Sequence, residues 1–107
     1  MKIIVFHPGK EAYVKDIPNK LEALQGIVNG YIEVVHPFSD PVALVLNEEG
    51  KFNGSRANRP FYDDKGYIRD ILYGTFFICG VKEDDLTDIP EDLILKYKKI
   101  FPLPNRR

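Results

Sequence analysis

Residues 2–30, KIIVFHPGKEAYVKDIPNKLEALQGIVNG, lay out two strands and a helix in turn. Residues 2–6 (KIIVF) form an apolar run rich in β-branched side chains, and 13–17 (YVKDI) alternate in character. His7-Pro8-Gly9-Lys10 supplies turn chemistry between them, so the pair reads as a β-hairpin. Asn19 stands three residues before Glu22, the spacing of a capping box in which an amide oxygen accepts a main-chain N–H and the carboxylate reaches back. Leu21, Leu24 and Val28 fall on one helical face and Gly30 suits a left-handed cap, which predicts a helix over about 20–29.

Working outward, residues 31–36 (YIEVVH) and 42–46 (VALVL) are β-branched runs separated by Pro37-Phe38-Ser39-Asp40-Pro41, so two more strands are expected. Residues 75–81 (TFFICGV) are apolar on both parities, the pattern of a strand buried on both faces. Between them, 51–66 show no sustained period and contain Gly54, Pro60 and Gly66, which predicts an irregular loop. A closing helix is expected to open at Asp88, with Pro90 in its first turn, Leu93, Tyr97, Ile100 and Phe101 on one face, and Pro102 and Pro104 stopping it. The acids Glu83, Asp84, Asp85, Asp88, Glu91 and Asp92 would complement its N-terminal dipole and Lys96, Lys98 and Lys99 its end. The sum is an α+β domain: a small mixed, mostly antiparallel sheet with one crossing helix and a C-terminal helix packed on one face. The first half is similar in element order to a β-grasp unit. Leu24 and Phe77 are expected in the core, each costing about 2–5 kcal/mol if truncated to Ala.

At 107 residues the chain is a single domain, 1–107. Its 15 Lys and Arg nearly balance 16 Asp and Glu, so the surplus of positive charge that general nucleic-acid binding needs is missing. No apolar run approaches the roughly 20 residues that span a bilayer, and Met1-Lys2 leads straight into a strand-like run, so no signal peptide is expected. One cysteine, Cys79, cannot form an internal disulfide, which favours a cytoplasmic setting.

No catalytic constellation, cofactor fingerprint or metal-ligand spacing emerges. The two imidazoles, His7 and His36, each end a predicted strand and precede a proline. Cys79 lies in the most apolar run, where a thiol is an inert small hydrophobe. The adjacent acids Glu48-Glu49, Asp63-Asp64 and Asp84-Asp85 read as solvated turn residues. The middle segment does concentrate binding chemistry: Arg56, Asn58, Arg59 and Tyr62 offer forked donors, an amide and an aromatic face within seven residues. They fit a phosphate plus a base, or an acidic patch on a protein; the plainer reading ties Asn58 and Arg59 to the sheet through main-chain bonds. Phe52, Phe61, Tyr62, Tyr67 and Tyr73 cluster in and beside the same loop, so a homo-oligomer is expected.

Lys2-Ile3-Ile4-Val5, His7-Pro8-Gly9-Lys10, Tyr13-Val14-Lys15, Leu21-Glu22-Ala23-Leu24-Gln25, Gly30-Tyr31-Ile32-Glu33-Val34-Val35, residues 43–51, Asn58-Arg59 and Gly74-Thr75-Phe76-Phe77-Ile78 together resemble domain of unknown function 3846 over nearly the whole chain. The resemblance implies a small protein of phages, plasmids or other mobile elements of Gram-positive bacteria, acting in the host cytoplasm, and carries no activity. The expectation is a non-enzymatic counter-defence protein that sequesters a small anionic ligand, such as a nucleotide immune signal, at Arg56, Asn58, Arg59 and Tyr62. An inhibitor presenting a sheet edge or the closing helix to a host protein is the alternative, and a carboxylate-dependent nucleotide hydrolase the second.

Overall fold

The β-branched runs become strands and the 3.6-period run a helix. A computed structural model describes residues 1–51, 53–63 and 65–104; Phe52 and Asp64, named above, lie outside the described residues. In chain order the elements are β1 (Lys2–Phe6), β2 (Tyr13–Asp16), α1 (Leu21–Val28), β3 (Ile32–Val35), β4 (Val42–Asn47), β5 (Ala57–Tyr62), β6 (Ile68–Tyr73), β7 (Phe76–Lys82), β8 (Asp85–Thr87), a 3-10 turn (Glu91–Leu93) and α2 (Ile94–Ile100). The fold class is α+β, as expected.

The main sheet runs β2-β1-β7-β4-β3, with β8 pairing β7 past the end of β1, and β5 and β6 make a separate two-stranded sheet. Each pairing among the described residues is antiparallel. The expected mixture of directions is therefore absent there, and the β-grasp likeness reaches only the opening order of elements. The apolar segment forms β7, hydrogen-bonded between β1 and β4 with Ile78 opposite both Ile4 and Leu44.

Period-two alternation splits the core into two layers. Ile3, Val5, Ala43, Val45, Phe77 and Cys79 face α1, which covers them with Leu24 and Val28. Ile4, Phe6, Val42, Leu44, Phe76 and Ile78 face the other way, beneath Leu72 of β6, Ile89, and Tyr97 and Phe101 of the last helix region. The helices thus lie on opposite faces rather than on one. A sheet apolar on both parities exposes two hydrophobic faces to water, and each needs a cover. Leu24 and Phe77 are buried in the same layer.

Three local expectations give way to tertiary structure. Asn19 does not cap α1; its Nδ2 donates to Leu86 O at 3.0 Å, and Lys20 stands at the cap with no side-chain bond. The left-handed residue closing α1 is Asn29 (φ 63°), not Gly30. Of the acids ahead of α2, Glu91 and Asp92 open the 3-10 turn that leads into it, but Glu83 and Asp84, both at positive φ, form the two-residue turn of the β7–β8 hairpin. Asp88 Oδ1 accepts the main-chain N–H of Lys2 at 2.8 Å.

Candidate functional site

The expected loop at 51–66 contains a strand, β5. β5 and β6 pair from Ala57 opposite Tyr73 to Tyr62 opposite Ile68, with register shifts at Ala57/Arg59 and Phe61/Tyr62. Asn58 sits in the first irregularity, where an extra residue turns its side chain out of the hairpin ladder. Its Nδ2 donates to Phe6 O at 2.8 Å and Gly74 O at 2.7 Å, tying the hairpin to β1 and to the turn before β7.

Arg59 is only 1% exposed. Its Nε donates to Phe101 O (3.2 Å), Nη1 to His7 O (3.0 Å) and Asn58 Oδ1 (2.7 Å), and Nη2 to Lys10 O (2.7 Å). The guanidinium lies over the Phe6 ring, 5.6 Å from its centroid. One side chain thereby joins β5 to the His7–Lys10 turn and to the end of α2. Burial pushes its pKa down, with the Glu11 carboxylate acting in the opposite direction. The carbonyl dipoles stand in for a counter-ion, and a planar fork suits these four separate acceptors where an ammonium does not.

The four residues singled out in the sequence do not form one site. Arg56, Asn58 and Arg59 line a cleft of about 350 Å³ with Gly9, Ile71 and Leu103. Arg56 is exposed, while the other two are buried and bonded as above. Tyr62 belongs to a wider groove of about 730 Å³, between the segment after β3, the hairpin and the end of α2, where Phe38, Phe61, Arg69 and Ile100 join it. Phe38 contacts the rings of Phe61, Tyr97 and Phe101 at centroid distances of 5.8, 4.9 and 6.2 Å, which stiffens the groove floor. Two carboxylates on its wall are already engaged. Asp63 Oδ1 accepts the N–H groups of Lys65 (2.9 Å) and Tyr67 (3.0 Å), and Asp70 Oδ1 accepts Lys51 Nζ (2.5 Å) and the N–H of Ile71 (2.8 Å). The Lys51 bond holds the Asp70 carboxyl below the usual carboxylate range.

The turn end of the hairpin shows solvent an apolar surface: Tyr62, on the groove, is 43% exposed, Tyr67 70%, and Ile68, which lines the neighbouring cleft with Arg56 and Arg59, 56%. Sequence reading placed Tyr67 in an aromatic cluster but missed Ile68, Phe38 and Arg69 as site residues. The signal for β6 was present, since Tyr67-Ile68 and Ile71-Leu72-Tyr73 follow the Gly66 turn, but Arg69-Asp70 interrupts the apolar pattern.

The remaining candidates are structural in placement. His7 Nδ1 lies 2.8 Å from Thr75 Oγ1 and Nε2 2.9 Å from Tyr13 Oη, with the His7 and Tyr13 rings stacked at 5.6 Å. Burial, then Lys10 and Lys15, lowers its pKa. His36 is exposed. Cys79 is fully buried, and burial pushes its thiol up to about 12, which leaves it protonated at neutral pH. Asp40 Oδ2 accepts both Lys96 Nζ and Tyr97 Oη at 2.6 Å, fastening the segment before β4 to α2. Among the described residues no three His, Cys, Asp or Glu side chains are grouped to hold a metal ion, and no helix is long and apolar enough to cross a membrane. No curated protein and no solved structure matches the chain. A family model does match, over residues 1–102, and its description is Domain of unknown function (DUF3846).

Proposed function

Starting from the fact that the chain belongs to the DUF3846 family, whose description assigns no activity, we propose that it is a non-enzymatic binding protein that engages a protein partner through the exposed apolar turn end of the β5–β6 hairpin and the groove beside it. The observation that carries this reading is the exposed set Tyr62, Tyr67 and Ile68 at the turn end of the hairpin, with Tyr62 on the groove floored by Phe38 and Phe61 and Ile68 on the neighbouring cleft. Aromatic side chains and Arg are enriched at the cores of protein interfaces, and contiguous apolar surface is uncommon on a monomer unless it is used. Arg69 and the two engaged carboxylates give the groove both signs of charge, which suits a polypeptide better than a polyanion. In the mobile-element setting that the resemblance implies, the partner is a host protein and binding counters a host defence.

The test pairs wild type with a Tyr62→Ala/Ile68→Ser variant. Both positions are exposed, so the variant should melt close to wild type. A host protein retained by wild type, purified and titrated back, should bind the variant at least tenfold more weakly. Equal affinity for both would overturn the assignment to this face.

A second reading keeps the small anionic ligand, favoured by the cleft that brings Arg56, Asn58 and Arg59 together. Only Arg56 presents an exposed guanidinium there, so that reading predicts a nucleotide-induced thermal shift that Arg56→Ala abolishes. A nucleotide at 100 times its dissociation constant would stabilise by about 2.7 kcal/mol; a flat melting screen would remove this reading.

A further inference from the structure

β2 is an edge strand of the main sheet, and all four of its residues are exposed. The direction in which its main-chain groups point follows from the bonds beside it. Met1 N donates to Ile17 O at 2.6 Å and Ile17 N to Met1 O at 2.9 Å, so this pair exchanges both bonds across the hairpin. In an antiparallel ladder such pairs alternate with non-bonded ones. With Ile3 opposite Lys15 and Val5 opposite Tyr13, Lys15 and Tyr13 spend their N–H and C=O groups on β1. Val14 and Asp16 therefore direct theirs outward, an open template for another strand.

We propose that a second copy of the chain occupies this edge, the two β2 strands pairing antiparallel in a register centred on Val14. A two-fold axis makes the surface meet itself, so the strand must be complementary to its own reverse. Centred on Val14, each Val14 exchanges both main-chain bonds with Val14 of the second copy. Lys15 then stands opposite Tyr13 of the second copy, an ammonium beside an aromatic ring, with Glu11 of that copy beyond it on the same side. Centring on Lys15 would instead set the two ammonium groups directly opposite each other, and a like-charged pair there is destabilising. The Tyr13 ring is already fixed by its stack and hydrogen bond with His7, so little side-chain freedom is lost in receiving Lys15. The two main sheets become one continuous sheet, and no residue lining the groove belongs to β2.

Sedimentation velocity of the full chain, over a concentration series reaching about 100 µM, tests this for a small interface. Wild type should show a concentration-dependent dimer. Val14→Pro should be monomeric, because Pro removes the central donor; the fold should survive, since that N–H points away from β1 and Pro is tolerated on sheet edges. Lys15→Glu should weaken the dimer at least tenfold, and Glu11→Lys/Lys15→Glu should restore it, a rescue that a merely unfolded variant cannot give. A monomer throughout the series would overturn the proposal, as would a dimer indifferent to Val14→Pro and Lys15→Glu. Monomerisation by Tyr62→Ala/Ile68→Ser with no effect of the β2 variants would move the contact to the hairpin face.

Discussion

A single guanidinium carries more of the architecture than its type suggests. In sequence, Arg59 is one of several cations in a polar stretch, with donors that read as available to a ligand. In the fold those donors reach carbonyls of His7, Lys10 and Phe101. Truncation leaves three carbonyls and the Asn58 amide oxygen without that partner in a buried place, and each orphaned group has a desolvation cost. Arg59→Ala is expected to lose about 2–4 kcal/mol of stability by denaturant titration, and Arg59→Lys most of that, since one ammonium cannot span all four acceptors. Arg56→Ala, at an exposed position, should stay within about 0.5 kcal/mol of wild type. The contrast is illegible in sequence because nothing local distinguishes Arg56 from Arg59. What separates them is the arrival of the His7–Lys10 turn and the end of α2, far away in the chain, around one side chain only.

Elements show the same division. The opening hairpin, α1, β3, β4 and β7 were readable because their periodicity is local and their turns carry Pro, Gly or Asn. β5 and β6 were not: β5 contains a proline and a register irregularity, and its inward groups are the polar side chains of Asn58 and Arg59. A strand that buries amides and guanidinium groups looks like a loop to any hydrophobicity rule. The acidic stretch before α2 was misplaced for a related reason, since carboxylates suit both a helix start and a turn. Only the pairing of Lys82 with Asp85 selects the hairpin. Glu83 (φ 53°) and Asp84 (φ 69°) there occupy the left-handed region, which Asn and Gly tolerate better. Glu83→Asn/Asp84→Gly should therefore raise stability, by about 0.5–1 kcal/mol, seen as a higher melting temperature. A drop would mean that the turn side chains contribute more than their backbone strain costs.

At the scale of the whole molecule, acid should weaken the fold in two stages. The folded environment lowers the pKa of His7 below its ordinary 6.5, mainly through burial. The unfolded chain thus takes up that proton first, and stability falls as pH drops below about 6.5. Asp40 is lowered from 3.8 by its bonds to Lys96 and Tyr97. Its contribution is complete above that value and is lost as pH falls through the depressed folded pKa. Melting temperatures measured from pH 7 to pH 2 should decline through both windows. His7→Gln should flatten the upper one and Asp40→Asn the lower, and an unchanged upper slope in His7→Gln would deny His7 its part. By itself the sequence determined the α+β class, the strand that buries both faces, the first helix and the family, because periodicity and turn chemistry are local and a family pattern is spelled in residues. Tertiary structure alone decided that the helices lie on opposite faces, that the middle segment folds into a second sheet, and that Arg59 turns inward while Tyr62, Tyr67 and Ile68 face out. Each of those outcomes depends on which distant segment supplies the nearest cover or acceptor, and a carbonyl or an apolar face brought in from fifty residues away leaves no mark in the local pattern.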